Sequence, residues 1–295
     1  MCSSPKPTVL GRPFIGLVLL TIIGSATVVA PGCTPPTVTP SVATEESLET
    51  TTSAAQKLSN VIITIIYDNN TYDARLHTSW GFSCLVQLKD TSLLFDTGGD
   101  GATLLSNMSI LGLDLQQIDH VVLSHIHGDH TGGLAAILAT GTKPVVYVPS
   151  SFPASFKDQL RAPTQVVEIR ESITMREGVY STGELGSGII EQSLVLDTVE
   201  GPVVITGCAH PGIVDIVTRV REVHDGEIHL VIGGFHLRAK SRGGLQDIAD
   251  SLRGLGVQKL APCHCTGDQA MRMFAEEWGC DFVANGVGRM IEIGR

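Results

Sequence analysis

The feature that most constrains this chain is the stretch Ser124-His125-Ile126-His127-Gly128-Asp129-His130-Thr131-Gly132-Gly133. Its H-x-H-x-D-H pattern puts three imidazoles and a carboxylate within six residues. The apolar run Asp119-His120-Val121-Val122-Leu123 before it reads as a buried strand, and Leu134 to Thr140 after it reads as helical. Ligand-type side chains therefore leave the end of a rigid strand and enter a tight turn. Imidazoles with a carboxylate suit zinc, iron or manganese. A polar loop that merely happens to be His-rich does not explain the spacing, the strand and the glycines together.

The remaining composition bounds the partners. With 43% hydrophobic and 17% charged residues over 295, the chain can bury a sizeable core. Its net charge is −10 and it has no basic patch, which argues against nucleic acid. Small phosphorylated substrates remain compatible, because bound ions supply local positive charge. The cysteines are Cys2, Cys33, Cys84, Cys208, Cys263, Cys265 and Cys280, and their spacing is not a disulfide framework. Cys208 and Cys265 lie beside histidines, whereas Cys84 and Cys280 read as small buried apolar residues.

Residues 1–33 read as an export segment. Lys6 and Arg12 precede an uncharged apolar run, Phe14 to Ala30, and then Pro31-Gly32-Cys33. This is either a lipoprotein signal with Cys33 as the lipidated terminus or an uncleaved anchor. Both imply N-terminal membrane association and an extracytoplasmic, membrane-anchored location. Residues 34–59, rich in Thr, Pro and Ser, read as a tether. Residues 60–295 read as the folded domain.

Within that domain one regularity recurs. Asp96, the His125–His130 stretch, Cys208 with His210, His236 and His264 each follow an apolar, strand-like run. In layered α/β folds, loops at strand ends converge over the sheet and carry function. Helices are expected over Gly101–Leu111, Ile213–Val223, Gln246–Leu255 and Asp268–Trp278. His77, His120, His224 and His229 lack the strand-end context and read as surface or structural.

These residues resemble the metallo-β-lactamase superfamily over about 60–295. Leu94-Phe95-Asp96-Thr97-Gly98 is similar to its first motif, and His125, His127, Asp129 and His130 to its second. The likeness is closer to the subfamily named after 7,8-dihydropterin-6-yl-methyl-4-(β-D-ribofuranosyl)aminobenzene 5′-phosphate synthase. Tyr67-Asp68-Asn69, Trp80-Gly81-Phe82-Ser83, Glu191-Gln192-Ser193-Leu194, Thr206-Gly207-Cys208-Ala209-His210, Gly233-Gly234-Phe235-His236-Leu237 and His264-Cys265-Thr266-Gly267 carry it. The resemblance implies an α/β fold in four layers, an αββα sandwich of two mixed sheets flanked by helices. It also implies a fifth-motif ligand, which His264 fits. The superfamily's bridging Asp is missing, and Cys208 and His210 stand in its place. No histidine occupies the third-motif region around Thr182 to Glu191.

Two divalent ions are expected, zinc foremost, with manganese or iron as alternatives. His125, His127 and His210 are expected to hold one ion, and Asp129, His130 and His264 the other. Such a pair lowers the pKa of water and supplies a nucleophile at neutral pH. Asp129 thus also counts as a catalytic candidate, together with His236 as a general acid. Asp96 is expected to orient a ligand histidine through its second ring nitrogen. Whether Cys208 touches metal stays open. Asp68 and Asn69 either line the pocket floor or form a plain turn.

The leading expectation is a metal-dependent hydrolase that attacks a phosphoester, phosphodiester or related ester in a small, phosphorylated substrate. The alternative that the subfamily name implies is a transferase joining a pterin methyl diphosphate to a ribofuranosylaminobenzene phosphate. The third is a non-catalytic metal-binding protein.

Overall fold

The computed structural model describes residues 57–224 and 226–295. The expected export segment, 1–33, and nearly all of the expected tether, 34–59, lie outside the described residues. The membrane-anchored, extracytoplasmic location is corrected here. Among the described residues, no helix is long and apolar enough to cross a membrane.

The β-branched run Val61–Tyr67 forms β1. Then follow β2 (Ser83–Gln87), β3 (Ser92–Phe95), β4 (His120–Val122), β5 (Val145–Pro149) and β6 (Val166–Ile169). A second series comprises β7 (Ile173–Arg176), β8 (Val179–Ser181), β9 (Leu194–Thr198), β10 (Gly201–Thr206), β11 (Ile228–Gly234) and β12 (Val257–Cys263). The last strand, β13 (Met290–Ile293), returns to the first series. The two mixed sheets run β13-β1-β2-β3-β4-β5-β6 and β12-β11-β10-β9-β8-β7. The first four helices are α1 (Gly101–Ile110), α2 (Gly128–Thr131), α3 (Leu134–Ala139) and α4 (Ala154–Arg161).

Alternation along the strands builds the layers. Val203 and Ile205 of β10 point into the core between the sheets, with Ile63, Val86, Phe95 and Val122. Val204 points the other way, to α5 (Ile213–Val223), α6 (Arg242–Gly254) and α7 (Asp268–Trp278), through Val217, Leu252 and Phe274. On the first sheet, Leu94 and Val121 pack outward on Leu104, Met108 and Ile137. The result is the expected αββα sandwich.

Strands β3, β4 and β5 are parallel neighbours, as are β10, β11 and β12. Parallel strands end at the same edge, so the loops after β3 and β4, and those after β10, β11 and β12, open on one rim in each sheet. Sharp exits are needed there. Asp96, Ala209, His236 and His264 all take left-handed backbone, with φ from 50° to 56°. Such non-glycine residues persist only where the surroundings hold them, and they cluster at functional sites.

One turn is sharpened and one helix departs from expectation. The tight turn expected after His127 is one helical turn, Gly128–Thr131, ahead of the helix Leu134–Ala139. Helix α6 starts at Arg242, not at Gln246, because Ser241 caps it by accepting from the Gly244 amide, so Gly243-Gly244 is helical despite its low propensity. Cys84 is buried as expected, whereas Cys280 is exposed beyond α7.

Candidate metal centre

The rim brings Asp96, His125, His127, Asp129, His130, Cys208, His210, His236 and His264 into one cluster. The His125 ring lies 4.7 Å from those of His127 and His210, and 4.2 Å from that of His130. The His130 ring lies 5.1 Å from that of His264. Asp129 Oδ2 stands 3.4 Å from His264 Nε2 and 3.6 Å from His130 Nε2. His236 sits at the exposed lip, its ring 4.5 Å from that of His210.

Hydrogen bonds at the back of the cluster decide which ring nitrogen faces forward. The Asp96 carboxylate, fully buried, accepts from the Ser124 amide, from the Ser124 hydroxyl and from His130 Nδ1, each at 2.7 Å. Ser124 Oγ has spent its proton on Asp96, so it accepts from His125 Nδ1 at 2.9 Å. Asn69 Oδ1 accepts from His264 Nδ1 at 3.0 Å, while Asn69 Nδ2 donates to the His264 carbonyl. All three imidazoles therefore carry their proton on Nδ1 and turn an Nε2 lone pair into the cluster.

That leaves forward-facing nitrogens short of partners. The Nε2 atoms of His210 and His264 are buried with no hydrogen-bond partner. His130 Nε2 has only the Cys208 thiol, which donates to it at 3.2 Å. Buried, unpartnered ring nitrogens are costly unless a cation sits among them. The donor set of imidazoles, a carboxylate and a thiol is one that zinc or iron takes. Asp129, His130, Cys208 and His264 form one group able to hold an ion, and His125, Cys208 and His210 another.

The charge state agrees. Burial, and then the neighbouring imidazoles, push His125 far below the usual histidine range. Burial, then His236 and His127, bring His210 down to about 4. Both rings are neutral at pH 7, the form in which imidazole can bind a metal. Burial opposes a charge on His130, but Asp96 outweighs it and raises the ring's affinity for a positive charge. Burial likewise opposes the Asp129 carboxylate, but the neighbouring His264 and His130 rings outweigh it and bring its pKa down to about 2.

Sequence reasoning missed Glu191. Its carboxylate is wholly buried and accepts from four backbone amides at 2.9–3.0 Å: those of Gly207, Cys208 and Ala209 at Oε1 and that of His210 at Oε2. The third-motif region, which lacks a histidine, thus supplies the clamp that presents His210. Asn69 joins the site through His264, so the plain-turn reading fits Asp68, which caps Asn70, but not Asn69. Trp80 and Arg238 were also missed as site residues. Trp80 is 45% exposed and its ring lies 4.7 Å from that of His264. The Arg238 guanidinium lies 5.2 Å from the Trp80 ring and has no carboxylate partner among the described residues. An exposed indole and an unpaired cation beside strand-end histidines are visible in sequence only as the neighbours of motifs. His120, His224 and His229 lie away from the cluster, against Tyr147, Tyr180 and Glu200.

A sequence model of the metallo-beta-lactamase superfamily matches residues 81–264. The 7,8-dihydropterin-6-methyl-4-(beta-D-ribofuranosyl)-aminobenzene-5'-phosphate synthase of Methanocaldococcus jannaschii is 29% identical over 287 residues, spanning 80% of this chain and 98% of its own. The crystal structure of Tm1679, a metal-dependent hydrolase of the beta-lactamase superfamily, superposes with a TM-score of 0.67 at 26% identity, over 80% of this chain and all of its own. A diphosphatase from the PhnP family shares the fold, with a TM-score of 0.55 at 14% identity over 80% and 98% of the two chains.

Proposed function

Because the chain belongs to the metallo-beta-lactamase superfamily, we propose that it is a metal-dependent hydrolase of a phosphoester, phosphodiester or related ester in a small phosphorylated substrate. The observation that carries this reading is that the Nε2 atoms of His130 and His264 flank the Asp129 carboxylate at 3.6 and 3.4 Å, with the His125 ring beside that of His130, and that the three rings are held from behind through Nδ1. His125, His127 and His210 would hold one ion, and Asp129, His130 and His264 the other. When bound, the ions supply Lewis acidity and a nucleophile at neutral pH.

The chain's own groups do the rest. Asp96, Ser124 and Asn69 keep the ligand rings in register. Arg238, without a carboxylate partner, offers its guanidinium to a substrate phosphate, and Trp80 offers a flat face beside it. His236 is exposed on the lip, and its hydrogen bond to Cys265 favours the protonated ring despite partial burial. It is the group suited to hand a proton to the leaving oxygen.

One observation favours a second reading. The synthase relative is matched over almost its whole length, which supports a transferase that joins a pterin methyl diphosphate to a phosphorylated ribosylaminobenzene. The full-length protein loaded with zinc, manganese or iron separates the two. Cleavage of bis-p-nitrophenyl phosphate or a simple ester is expected. No hydrolysis with any metal, together with consumption of a pterin diphosphate, would overturn the hydrolase and favour the transferase.

A further inference from the structure

Cys208 is in the wrong surroundings for a buried apolar residue. Two of the other buried free cysteines among the described residues make the contrast, while the third, Cys265, shares the surroundings of Cys208. Cys84 and Cys263 belong to the hydrocarbon core between the sheets, packed with Ile65, Phe95 and Ile232. Cys208 is equally buried, at 3% exposure, but belongs to none of the hydrophobic clusters. Its sulfur faces His130 Nε2 at 3.2 Å. That nitrogen carries a lone pair, because Asp96 takes the Nδ1 proton at 2.7 Å.

Cys208 is also the point where the cluster meets. Among the described residues, three groups of potential ligand atoms lie within 4.8 Å of one another: Asp129 with His130, Cys208 and His264; His125 with Cys208 and His210; Cys208 with His236 and Cys265. Cys208 is the residue common to all three. The first group contains all three ligands assigned above to one ion, the second contains His125 and His210 of the three assigned to the other, and the sulfur is what the groups share.

The loop is built to hold it there. The amides of residues 207 to 210 are all tied to Glu191, and Ala209 takes the left-handed turn. A Cβ on Gly207 would come within 2.1 Å of Ser124 Oγ, and one on Gly234 within 2.5 Å of the Gly207 carbonyl. Both glycines let the loop seat against β4 and β11. On the far side, the Cys265 thiol donates to the Cys208 carbonyl at 3.6 Å. Little freedom is left to the sulfur, which faces His130 Nε2 and lies within 4.8 Å of the Cys265 sulfur as well as of the other imidazoles' ligand atoms.

We propose that Cys208 stands in for the missing bridging carboxylate, its thiolate being a ligand common to both ions, and that this selects zinc or ferrous iron over magnesium or manganese. A thiolate is a soft donor, and the harder ions prefer oxygen. Coordination releases the thiol proton to solvent. The inference rests on the metal centre proposed above but not on the reaction, so it holds for hydrolase and transferase alike.

Cobalt(II) tests it without turnover. The full-length protein, stripped of metal and titrated with cobalt, should show a near-ultraviolet thiolate-to-cobalt charge-transfer band that saturates with the bound cobalt. Cys208→Ser should abolish the band and weaken zinc binding more than about tenfold, with an unchanged circular dichroism spectrum. Cys265→Ser should keep the band. Cys208→Asp should bind two ions again, without the band and with the preference moved toward manganese. Cobalt bound without the band in the unaltered protein would refute the thiolate ligand while leaving the metal centre standing. A band that survives Cys208→Ser and vanishes in Cys265→Ser would refute it too, moving the sulfur to Cys265. Failure to bind cobalt at all would remove both the centre and the shared ligand.

Discussion

The Glu191 clamp makes a quantitative test possible, because it buries a charge to hold a loop. Desolvation raises its carboxyl pKa from 4.5 to about 7 in the metal-free protein, against the pull of the His210 and Ala209 amides. At 1.36 kcal/mol per decade, that corresponds to about 3 kcal/mol against the ionised form. The folded-state value lies above the unfolded one, so the folded protein binds more protons in between. The stability that this group contributes is fully present below pH 4.5 and is lost as pH rises to about 7. Glu191→Gln removes the titration. A protonated carboxyl and an amide are close analogues here, each with one acceptor oxygen and one donor. The variant keeps Oε1 for Gly207, Cys208 and Ala209 and sets an N–H against the His210 amide. Metal-free wild type and variant should therefore differ little at pH 4. By pH 8 the variant should have gained about 3 kcal/mol relative to wild type. Urea unfolding of both proteins in excess chelator across that range is the assay. Parallel stability curves would refute the buried, amide-bound carboxylate as drawn. In the metal-loaded protein the order should reverse, since the ions favour the charge that the amide lacks.

Further outcomes follow from the same geometry. Asn69→Ala frees His264 to adopt either tautomer, and zinc affinity measured by chelator competition should fall about 10–100-fold with no loss of fold. Gly207→Ala drives a Cβ to 2.1 Å from Ser124 Oγ, which should cost about 1–3 kcal/mol in thermal unfolding and lower metal content. Arg238→Ala should raise KM for a phosphoester with little change in kcat, whereas an uncharged ester should be indifferent to it; equal effects on both would remove the anion-binding role.

How much could be read beforehand depended on range. The H-x-H-x-D-H ligands, the strand ends and helices such as Ile213–Val223 and Asp268–Trp278 depend on spacing within one segment, and they stand where the sequence puts them. The start of α6 was hidden because Gly243-Gly244 argues against helix, while the Ser241 cap outweighs it locally. Glu191 was hidden for a different reason. It stands in a motif that carries the family resemblance, but its role does not show there, because its four partners lie 16 to 19 residues away, in a loop that reaches it only when the second sheet forms.

The amino-acid order alone therefore determined the superfamily, the layered α/β architecture and the presence of a metal-type ligand set. Those follow from short-range periodicity and from residue types whose chemistry is intrinsic. Only the tertiary structure decided which nitrogen each imidazole turns inward, because the tautomers are set by Asp96, Ser124 and Asn69 from separate strands. It likewise decided that Cys208, one thiol among several in the sequence, lies between imidazoles rather than in hydrocarbon. A side chain's neighbours across two sheets are not encoded in its neighbours along the chain, and metal chemistry depends on the former.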